Sequence, residues 1–172
     1  QSLFVSSDLL EEWRGSVRWA LTTLAGEVLA SGDKPVRVEP MGVPAVENLD
    51  FARFLDDDTR RALVFVAELW QGDRRLAVQT AFFVPTKYLA LVDPHIQAKV
   101  ALEDGLLAVE LSARSLARLV ECGLAGADLV FSDNYFDLPA RQAITVTAPL
   151  PAGWDLARAE AALTIRSVYD TY

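Results

Sequence analysis

The chain has ten glutamates, and paired carboxyl groups about 5 to 10 Å apart hydrolyse glycosidic bonds, one acting as acid and the other as nucleophile or base. Most of these glutamates, including Glu11, Glu27 and Glu103, fall in predicted turns or on the polar faces of predicted strands. Solvation alone explains a carboxylate at such a position, because water stabilises its charge. We therefore predict no catalytic residue in this chain.

Metal and nucleophile chemistry have few candidate residues. The run Asp56-Asp57-Asp58 offers oxygen ligands of the kind that calcium prefers, but adjacent side chains point apart and no second ligand cluster follows. We interpret it as a solvated loop. With only His95 and Cys122 of their types, a zinc site or a histidine triad lacks ligands. We interpret His95 as a surface residue and Cys122 as a small apolar residue packed in the core. We predict no metal and no cofactor.

Four tryptophans raise the possibility of sugar binding, because sugar rings stack on exposed aromatic faces. Trp19 lies on the apolar side of its predicted strand, and we assign it to the core. Trp13, Trp70 and Trp154 can be exposed or buried against another domain. We take Trp70 and Trp154 as the candidates for sugar or interdomain contact.

Composition excludes several classes of partner. The formal net charge is −8 over 172 residues, and negative charge repels phosphate backbones and anionic lipid surfaces. No apolar run reaches the roughly 18 residues that span a bilayer, whereas an apolar fraction of 52% is ample for a core. We predict a folded protein that binds neither nucleic acid nor membranes.

The first residues of the chain, its cysteine content and its ratio of arginine to lysine bear on its cellular location and its source. A single cysteine excludes an internal disulfide and favours a cytoplasmic location. The opening Gln1-Ser2-Leu3-Phe4-Val5 has no initiator Met and no basic signal region, so we expect an excised fragment that enters directly in a strand. Thirteen arginines against three lysines point to a bacterial genome.

The first half of the chain has the pattern of a meander of short strands. Gly15 to Leu24 alternate apolar and polar side chains, which is typical of a strand with one buried face. The dense apolar run from Ala62 to Trp70 predicts a central strand packed on both faces, and a turn at Gly72 leads into its partner, Arg74 to Val84. Further predicted elements are a strand at Val28–Ala30, a turn at Gly32-Asp33, a strand at Val36–Val38 and a helical turn within Asn48–Leu55 capped by Asp50.

A connector between two prolines, Thr86 to Pro94, follows. We place a domain boundary near Val92, which gives domains of residues 1–91 and 92–172. The later elements are predicted as a hairpin of Ile96–Leu102 and Leu106–Leu111, strands at Ser115–Leu124 (whose spacing also fits a helix), Ala127–Val130, Ala143–Thr147 and Leu163–Tyr169, and a helical turn at Asp155–Ala161. Two groups of short strands predict an all-β fold: two tandem immunoglobulin-like antiparallel β-sandwiches of about seven strands each.

The octapeptide Phe131-Ser132-Asp133-Asn134-Tyr135-Phe136-Asp137-Leu138 combines turn residues with apolar anchors. Ser, Asp and Asn side chains cap and turn the backbone, so we expect a corner of a sandwich. In that corner Tyr135 would hydrogen-bond to backbone, as buried tyrosines do in such folds. The functional alternative is that the loop faces a neighbouring domain through Asn134 and Tyr135.

With the tail Leu163-Thr164-Ile165-Arg166-Ser167-Val168-Tyr169-Asp170-Thr171-Tyr172, this octapeptide resembles the C-terminal end of β-mannosidases of family two of the glycoside hydrolases. Residues 3–85 resemble the first immunoglobulin-like domain after the catalytic barrel, and residues 93–172 resemble the terminal one. The resemblance implies a parent enzyme whose (β/α)₈ barrel carries two catalytic glutamates, retains anomeric configuration and releases non-reducing terminal β-D-mannose. After Leu138, Pro139-Ala140-Arg141 departs from the extended turn of that family.

No catalytic residue carries over, because nothing in the chain matches the barrel motifs. The resemblance implies a non-catalytic region that buttresses the parent's own catalytic barrel and is inactive alone. Mannosides are a second candidate partner, with Trp70, Trp154, Asn134 and Tyr135 as the residues for sugar or interdomain contact. Two alternatives stay open: a carbohydrate-binding module and a protein-interaction β-sandwich.

Overall fold

The structure is a computed structural model that describes residues 2–171. The chain forms two compact units, one made of the residues up to 23 together with 27–90, the other of 24–26 together with the residues from 91 onwards. Antiparallel sheets build both units, which confirms the all-β prediction. Among the described residues, no helix is long and apolar enough to cross a membrane.

The first unit has six strands within the described residues, against the seven that we expected. A four-stranded sheet has the order β3-β2-β5-β6, and β1 pairs with β4 in a separate two-stranded sheet. The strands are β1 (Ser2–Phe4), β2 (Trp13–Thr23), β3 (Val28–Val38), β4 (Ala45–Asn48), β5 (Leu63–Gln71) and β6 (Arg74–Phe82). Single 3₁₀ turns lie at Ala52–Phe54, Thr59–Arg61 and Thr86–Tyr88.

The central position of β5 follows from its sequence. Four consecutive residues, from Leu63 to Val66, are all buried, so both faces of this strand pack against apolar side chains. On β2, which neighbours it, Val17 and Leu21 point into the core. The predicted helical turn before β5 is also present, and Asp50 accepts a hydrogen bond from the Ala52 N–H at 2.9 Å.

The predicted turn at Gly32-Asp33 is wrong, because β3 runs without interruption from Val28 to Val38. Gly32 pairs with Trp19 of β2, and a Cβ at this glycine would lie 2.7 Å from the indole ring. The glycine therefore makes room for a neighbouring indole and does not reverse the chain.

The second unit also has six strands within the described residues, in two three-stranded sheets. One sheet has the order β11-β8-β7 and the other β10-β9-β12. The elements are β7 (Gln97–Glu103), β8 (Leu106–Ser112), β9 (Ala117–Leu124), β10 (Phe136–Leu138), β11 (Ala143–Pro149), α1 (Leu156–Ala162) and β12 (Leu163–Arg166), with a 3₁₀ turn at Val168–Thr171. Buried residues of both sheets form one apolar cluster, as in a β-sandwich.

Two predicted elements of this unit need correction. Residues Ala127 to Val130 form no strand; only a single bridge joins Ala127 to Leu124, because the chain here leads into the anchored corner at residue 131. The predicted last strand ends early, at Arg166, and a 3₁₀ turn takes its place. Asp170 causes this change, since its carboxylate accepts a hydrogen bond from the Ser167 N–H at 2.7 Å.

Candidate functional site

The octapeptide of residues 131–138 forms a bend whose two ends are fixed in the core of the second unit. Phe131 is 3% exposed and Leu138 is fully buried. Ser132 is bound to β11 twice: its N–H donates to the Thr147 carbonyl at 2.7 Å, and its Oγ accepts from the Thr147 N–H at 2.9 Å. We name this segment the corner loop.

Asn134 lies in the middle of the corner loop and hydrogen-bonds to β9. Its Oδ1 accepts from the Cys122 N–H at 2.7 Å, and its Nδ2 donates to the Cys122 carbonyl at 3.2 Å. One side-chain amide thus satisfies both backbone groups of a strand residue, as a neighbouring strand would. The contacts of Asn134 give it a structural role here.

A largely buried ion pair supports the same loop. The Arg118 Nε donates to Asp137 Oδ1 at 3.0 Å, and the two side chains are only 15% and 13% exposed. The same carboxylate oxygen accepts from the Leu119 N–H at 3.1 Å. Sequence reasoning missed this pair, because opposite charges on two strands signal a contact only once the register between them is known.

Tyr135 is an exposed residue of the corner loop, and the expectation of a buried tyrosine bonded to backbone is wrong. The side chain is 62% exposed, and its hydroxyl donates to a Glu121 carboxylate oxygen at 3.1 Å. This hydrogen bond and the negative charge of Glu121 raise the pKa of the Tyr135 phenol. Its backbone has φ of 60°, a left-handed conformation that disfavours a bulky residue.

Trp70, in the first unit, is half-buried and surrounded by polar groups. The indole N–H donates to Glu68 at 3.1 Å, and Glu68 pairs with Arg75 at 3.0 Å. The Arg18 guanidinium lies over the indole, 4.5 Å from the ring centroid. The Arg18 guanidinium therefore covers one face of the ring and closes that face to a sugar.

Trp154, in the second unit, also has an arginine over its ring. The Arg158 guanidinium lies 4.2 Å from its ring centroid, and the indole packs against the apolar cluster of its unit. The sequence contained a signal for this contact, because Arg158 follows Trp154 by four residues at the start of a helix that Asp155 caps. Of the four residues that the sequence proposed, Asn134 and Tyr135 are neighbours in the corner loop, Trp154 lies just before the helix of the same unit, and Trp70 belongs to the first unit.

The other tryptophans belong to the core of the first unit. Trp13 is 9% exposed and is therefore buried. The sequence alone had left open whether this side chain is exposed or buried. Trp19 packs against Phe51 and Phe65, with ring centroids 5.9 and 6.1 Å apart, and its indole N–H donates to Glu47 at 3.0 Å. Its assignment to the core is confirmed.

The acidic run of residues 56–58 is a hydrogen-bonded turn. Asp56 Oδ1 accepts from the backbone N–H groups of Asp58 and Thr59, at 2.9 and 2.7 Å. These bonds from Thr59 and Asp58 lower the pKa of the Asp56 carboxyl. Asp57 points to solvent and pairs with Arg60 at 2.8 Å. Within residues 2–171 no three His, Cys, Asp or Glu side chains come together as a metal site would require.

Cys122 and His95 both show the environments that the sequence indicated. Cys122 is buried, and this burial, together with the charge of Glu121, raises the pKa of its thiol to about 11. A thiol of that pKa is protonated at neutral pH and is a poor nucleophile. His95 is exposed, with its ring Nδ1 3.5 Å from an Asp93 carboxylate oxygen.

Comparison with known proteins gives the family. A family model described as a mannosidase Ig/CBM-like domain matches residues 2–88, which is just over half of the chain. The chain belongs to the mannosidase Ig/CBM-like domain family. A second model, described as an Ig-fold domain, matches residues 91–171, so an Ig-fold domain follows the mannosidase Ig/CBM-like domain in the chain.

A solved structure shares the fold of both domains. The β-D-mannosidase from Dictyoglomus thermophilum superposes with a TM-score of 0.84 over 96% of this chain, at 18% sequence identity. The chain spans 20% of the length of that protein. No curated protein sequence matches the chain. Trp13, Trp19 and Trp70 thus lie in the mannosidase Ig/CBM-like domain, whereas the corner loop lies in the Ig-fold domain.

Proposed function

We propose that this chain is the non-catalytic C-terminal region of a β-mannosidase, whose glycoside hydrolase barrel releases terminal β-D-mannose. The observation that carries the proposal is the match of 96% of the chain to one fifth of a β-D-mannosidase. The other four fifths of such a protein are long enough for a (β/α)₈ barrel, which takes about 250 residues. The chain would then supply sandwiches that buttress the barrel.

The surroundings of the carboxylates support placing the chemistry outside this chain. A retaining glycosidase needs two carboxyl groups that face each other across a space for the sugar. Within residues 2–171, six glutamates instead bind cations or hydrogen-bond donors of their own domain: Glu12 with Arg14 and Arg37, Glu39 with Arg37, Glu47 with Lys34 and Trp19, Glu68 with Arg75 and Trp70, Glu110 with Lys99, and Glu121 with Tyr135. These pairings give each of the six a structural role.

Tyr135 is our candidate for the contact with the barrel. A large exposed aromatic side chain on a strained backbone costs stability in the isolated domain. Such a residue is favourable where its ring is buried by a partner, because aromatic side chains dominate the energetics of interfaces. We place the boundary between the two domains near Val92, and a cytoplasmic location is part of the same proposal, since the buried Cys122 thiol needs no oxidising compartment.

The activity of the chain alone tests the proposal. Incubation with 4-nitrophenyl β-D-mannoside is expected to give no release of nitrophenol above the rate without protein. Measurable turnover that survives purification would contradict it. A second test is the coding sequence upstream of Gln1, where we expect a barrel with two glutamates; a reading frame without one would contradict the parent that we propose.

A carbohydrate-binding module is the second candidate, because the family model of residues 2–88 describes a domain that is CBM-like and Trp70 keeps one ring face free of Arg18. Calorimetric titration with manno-oligosaccharides would then give heat that Trp70→Ala or Trp154→Ala abolishes. Tyr88→Ala is the matched control, as this aromatic side chain is 50% exposed. The absence of heat with the unaltered chain excludes this candidate.

A further inference from the structure

A cleft of about 330 Å³ opens on the second unit and collects positive charge. Its ionisable lining residues are His95, Lys99, Glu110, Arg114 and Arg141, and we name it the cationic cleft. Residues 91–172 contain six lysines and arginines, of which three line this one cleft. The concentration stands out in a chain whose net charge is −8.

The floor of the cationic cleft is the outer face of the sheet formed by β7, β8 and β11. Strand register places Gln97 and Ala143 on either side of Ser112. Residue 110 of β8 lies across from Lys99 of β7 in the same register. Side chains that alternate along a strand share a face at every second residue, so these groups point to the same side of the sheet.

The backbone fixes the two arginines at the rim. The Arg114 N–H donates to the Pro94 carbonyl at 2.9 Å, and the Arg141 N–H donates to the Ala113 carbonyl at 3.0 Å. These two bonds join three separate loops at one place. His95 and Arg141 have φ of 47° and 62°, so the fold holds two lining residues in a conformation that is unfavourable for their types.

The carboxylates near the cationic cleft lie against other residues and do not neutralise the charge of its two arginines. Glu110 pairs with Lys99 at 3.0 Å, and Asp93 faces the ring of His95 at 3.5 Å. Between residues 2 and 171, neither Arg114 nor Arg141 takes part in an ion pair. Two guanidinium groups beside one cavity bind oxyanions well, because each presents a planar fork of donors.

We propose that the cationic cleft binds a small ligand through an oxyanion, either a carboxylate or a phosphate, held by Arg114 and Arg141. The neutral polar residues of the lining, Gln97, Ser112 and Gln142, would contact the uncharged part of the ligand. The volume is within the range of small-molecule sites, about 300 to 1,000 Å³. This inference does not depend on the proposed β-mannosidase parent.

The test is a ¹H–¹⁵N NMR titration of the 172-residue chain at low salt with two probes, inorganic phosphate and D-glucuronate. Saturable shifts are expected at the amides of residues 112–114 and 141–143 for at least one probe, and the stronger probe identifies the source of the oxyanion. D-Mannose is the neutral control and should give no shift there. Added NaCl should weaken the binding, because ions screen exposed charges.

Variants assign the affinity to the two arginines. Arg114→Gln and Arg141→Gln are each expected to weaken binding at least about tenfold, the factor that one well-placed charged contact supplies. Arg166→Gln removes the same charge from an exposed site on β12 and should change the affinity less than twofold. Melting temperatures verify that each variant is folded.

Four outcomes would overturn the proposal. The first is no saturable shift at the cleft with either anion. The second is equal shifts with D-mannose, and the third is undiminished binding by a folded variant that lacks both arginines. Equal loss in Arg166→Gln would also contradict it, because the effect would then follow the total charge of the chain and not the cleft.

Discussion

Gly15 of β2 lies directly against the backbone of Trp70 on β5. A Cβ on residue 15 would overlap the Trp70 carbonyl oxygen and the indole ring of Trp13. A ring can rotate away from such a contact, but the carbonyl belongs to the paired strand and cannot move without breaking the sheet. The absence of a side chain at this position is a condition for β2 to pair with β5.

Gly15→Ala should therefore lower the free energy of unfolding of the first unit by more than about 2 kcal/mol, the scale of overpacking in a core. Urea unfolding followed by tryptophan fluorescence measures this. Gly123→Ala is the matched strand control, because its Cβ would meet only the Thr164 hydroxyl, at 3.1 Å. Equal effects of the two substitutions would show that the close approach at Gly15 is relieved easily.

Asn134→Ala removes the partner of both backbone groups of Cys122. We expect a loss of about 1 to 3 kcal/mol in the stability of the second unit, the cost of leaving part-buried donors and acceptors unpaired. Hydrogen exchange at the Cys122 amide should quicken in parallel. Asn48→Ala, which loses one exposed hydrogen bond with Ser2, should change stability by less than about 0.5 kcal/mol. Native-like protection of the Cys122 amide in the variant would contradict this role.

Asp137→Ala removes the carboxylate that accepts hydrogen bonds from the largely buried Arg118 guanidinium and from the Leu119 N–H. The expected loss of stability is about 2 to 4 kcal/mol, because removing one member of a buried pair strands the other charge. Asp133→Ala in the same loop is the control, as its exposed carboxylate accepts a hydrogen bond from the adjacent Asn134 N–H. Denaturant unfolding of both variants measures which one loses more stability. A larger loss for Asp133→Ala than for Asp137→Ala would contradict the role that we assign to Asp137.

Tyr135→Asn should stabilise the isolated chain by about 0.5 to 1 kcal/mol, since Asn tolerates positive φ better than an aromatic residue. Tyr135→Phe keeps the backbone strain and removes only the hydroxyl, and should change stability by less than about 0.5 kcal/mol. Thermal unfolding compares the three proteins. If the Asn variant is the least stable, the ring packs within its own domain and is not kept for a partner.

Cys122 should not react with thiol reagents while the chain is folded. Its pKa is raised from 9.0 to about 11, so at pH 8 the thiolate fraction falls about a hundredfold, and burial slows the reaction further. Labelling by 5,5′-dithiobis(2-nitrobenzoate) is expected only on unfolding. A folded chain that reacts as fast as a free thiol would contradict the burial.

The same shift predicts a dependence of stability on pH. The unfolded thiol ionises above pH 9 while the folded thiol stays protonated until about pH 11. The contribution of Cys122 is therefore complete below pH 9 and is lost as the pH rises through 11. Unfolding free energies between pH 8 and 11 should decrease more steeply for the unaltered chain than for Cys122→Ala. Parallel curves would mean that the thiol has the same pKa in both states.

Local chemistry determined the strands and turns that the sequence predicted. The alternation from Gly15 to Leu24, the apolar run from Ala62 to Trp70 and the capped helix after Asp155 each depend on neighbours a few residues away. These patterns were enough for the all-β fold. The resemblance in the octapeptide and tail pointed to the family that the matched models show.

Tertiary structure alone decided which side chains meet. Gly32 has the sequence signature of a turn, and its pairing with Trp19 places it inside a strand instead. Asn134 and Asp137 bind residues 12 and 19 positions away, and the lining of the cationic cleft comes from residues up to 48 positions apart in the chain. Strand register sets these meetings, because a shift of one residue turns every side chain to the opposite face. Register depends on packing between distant strands, and no local pattern encodes it.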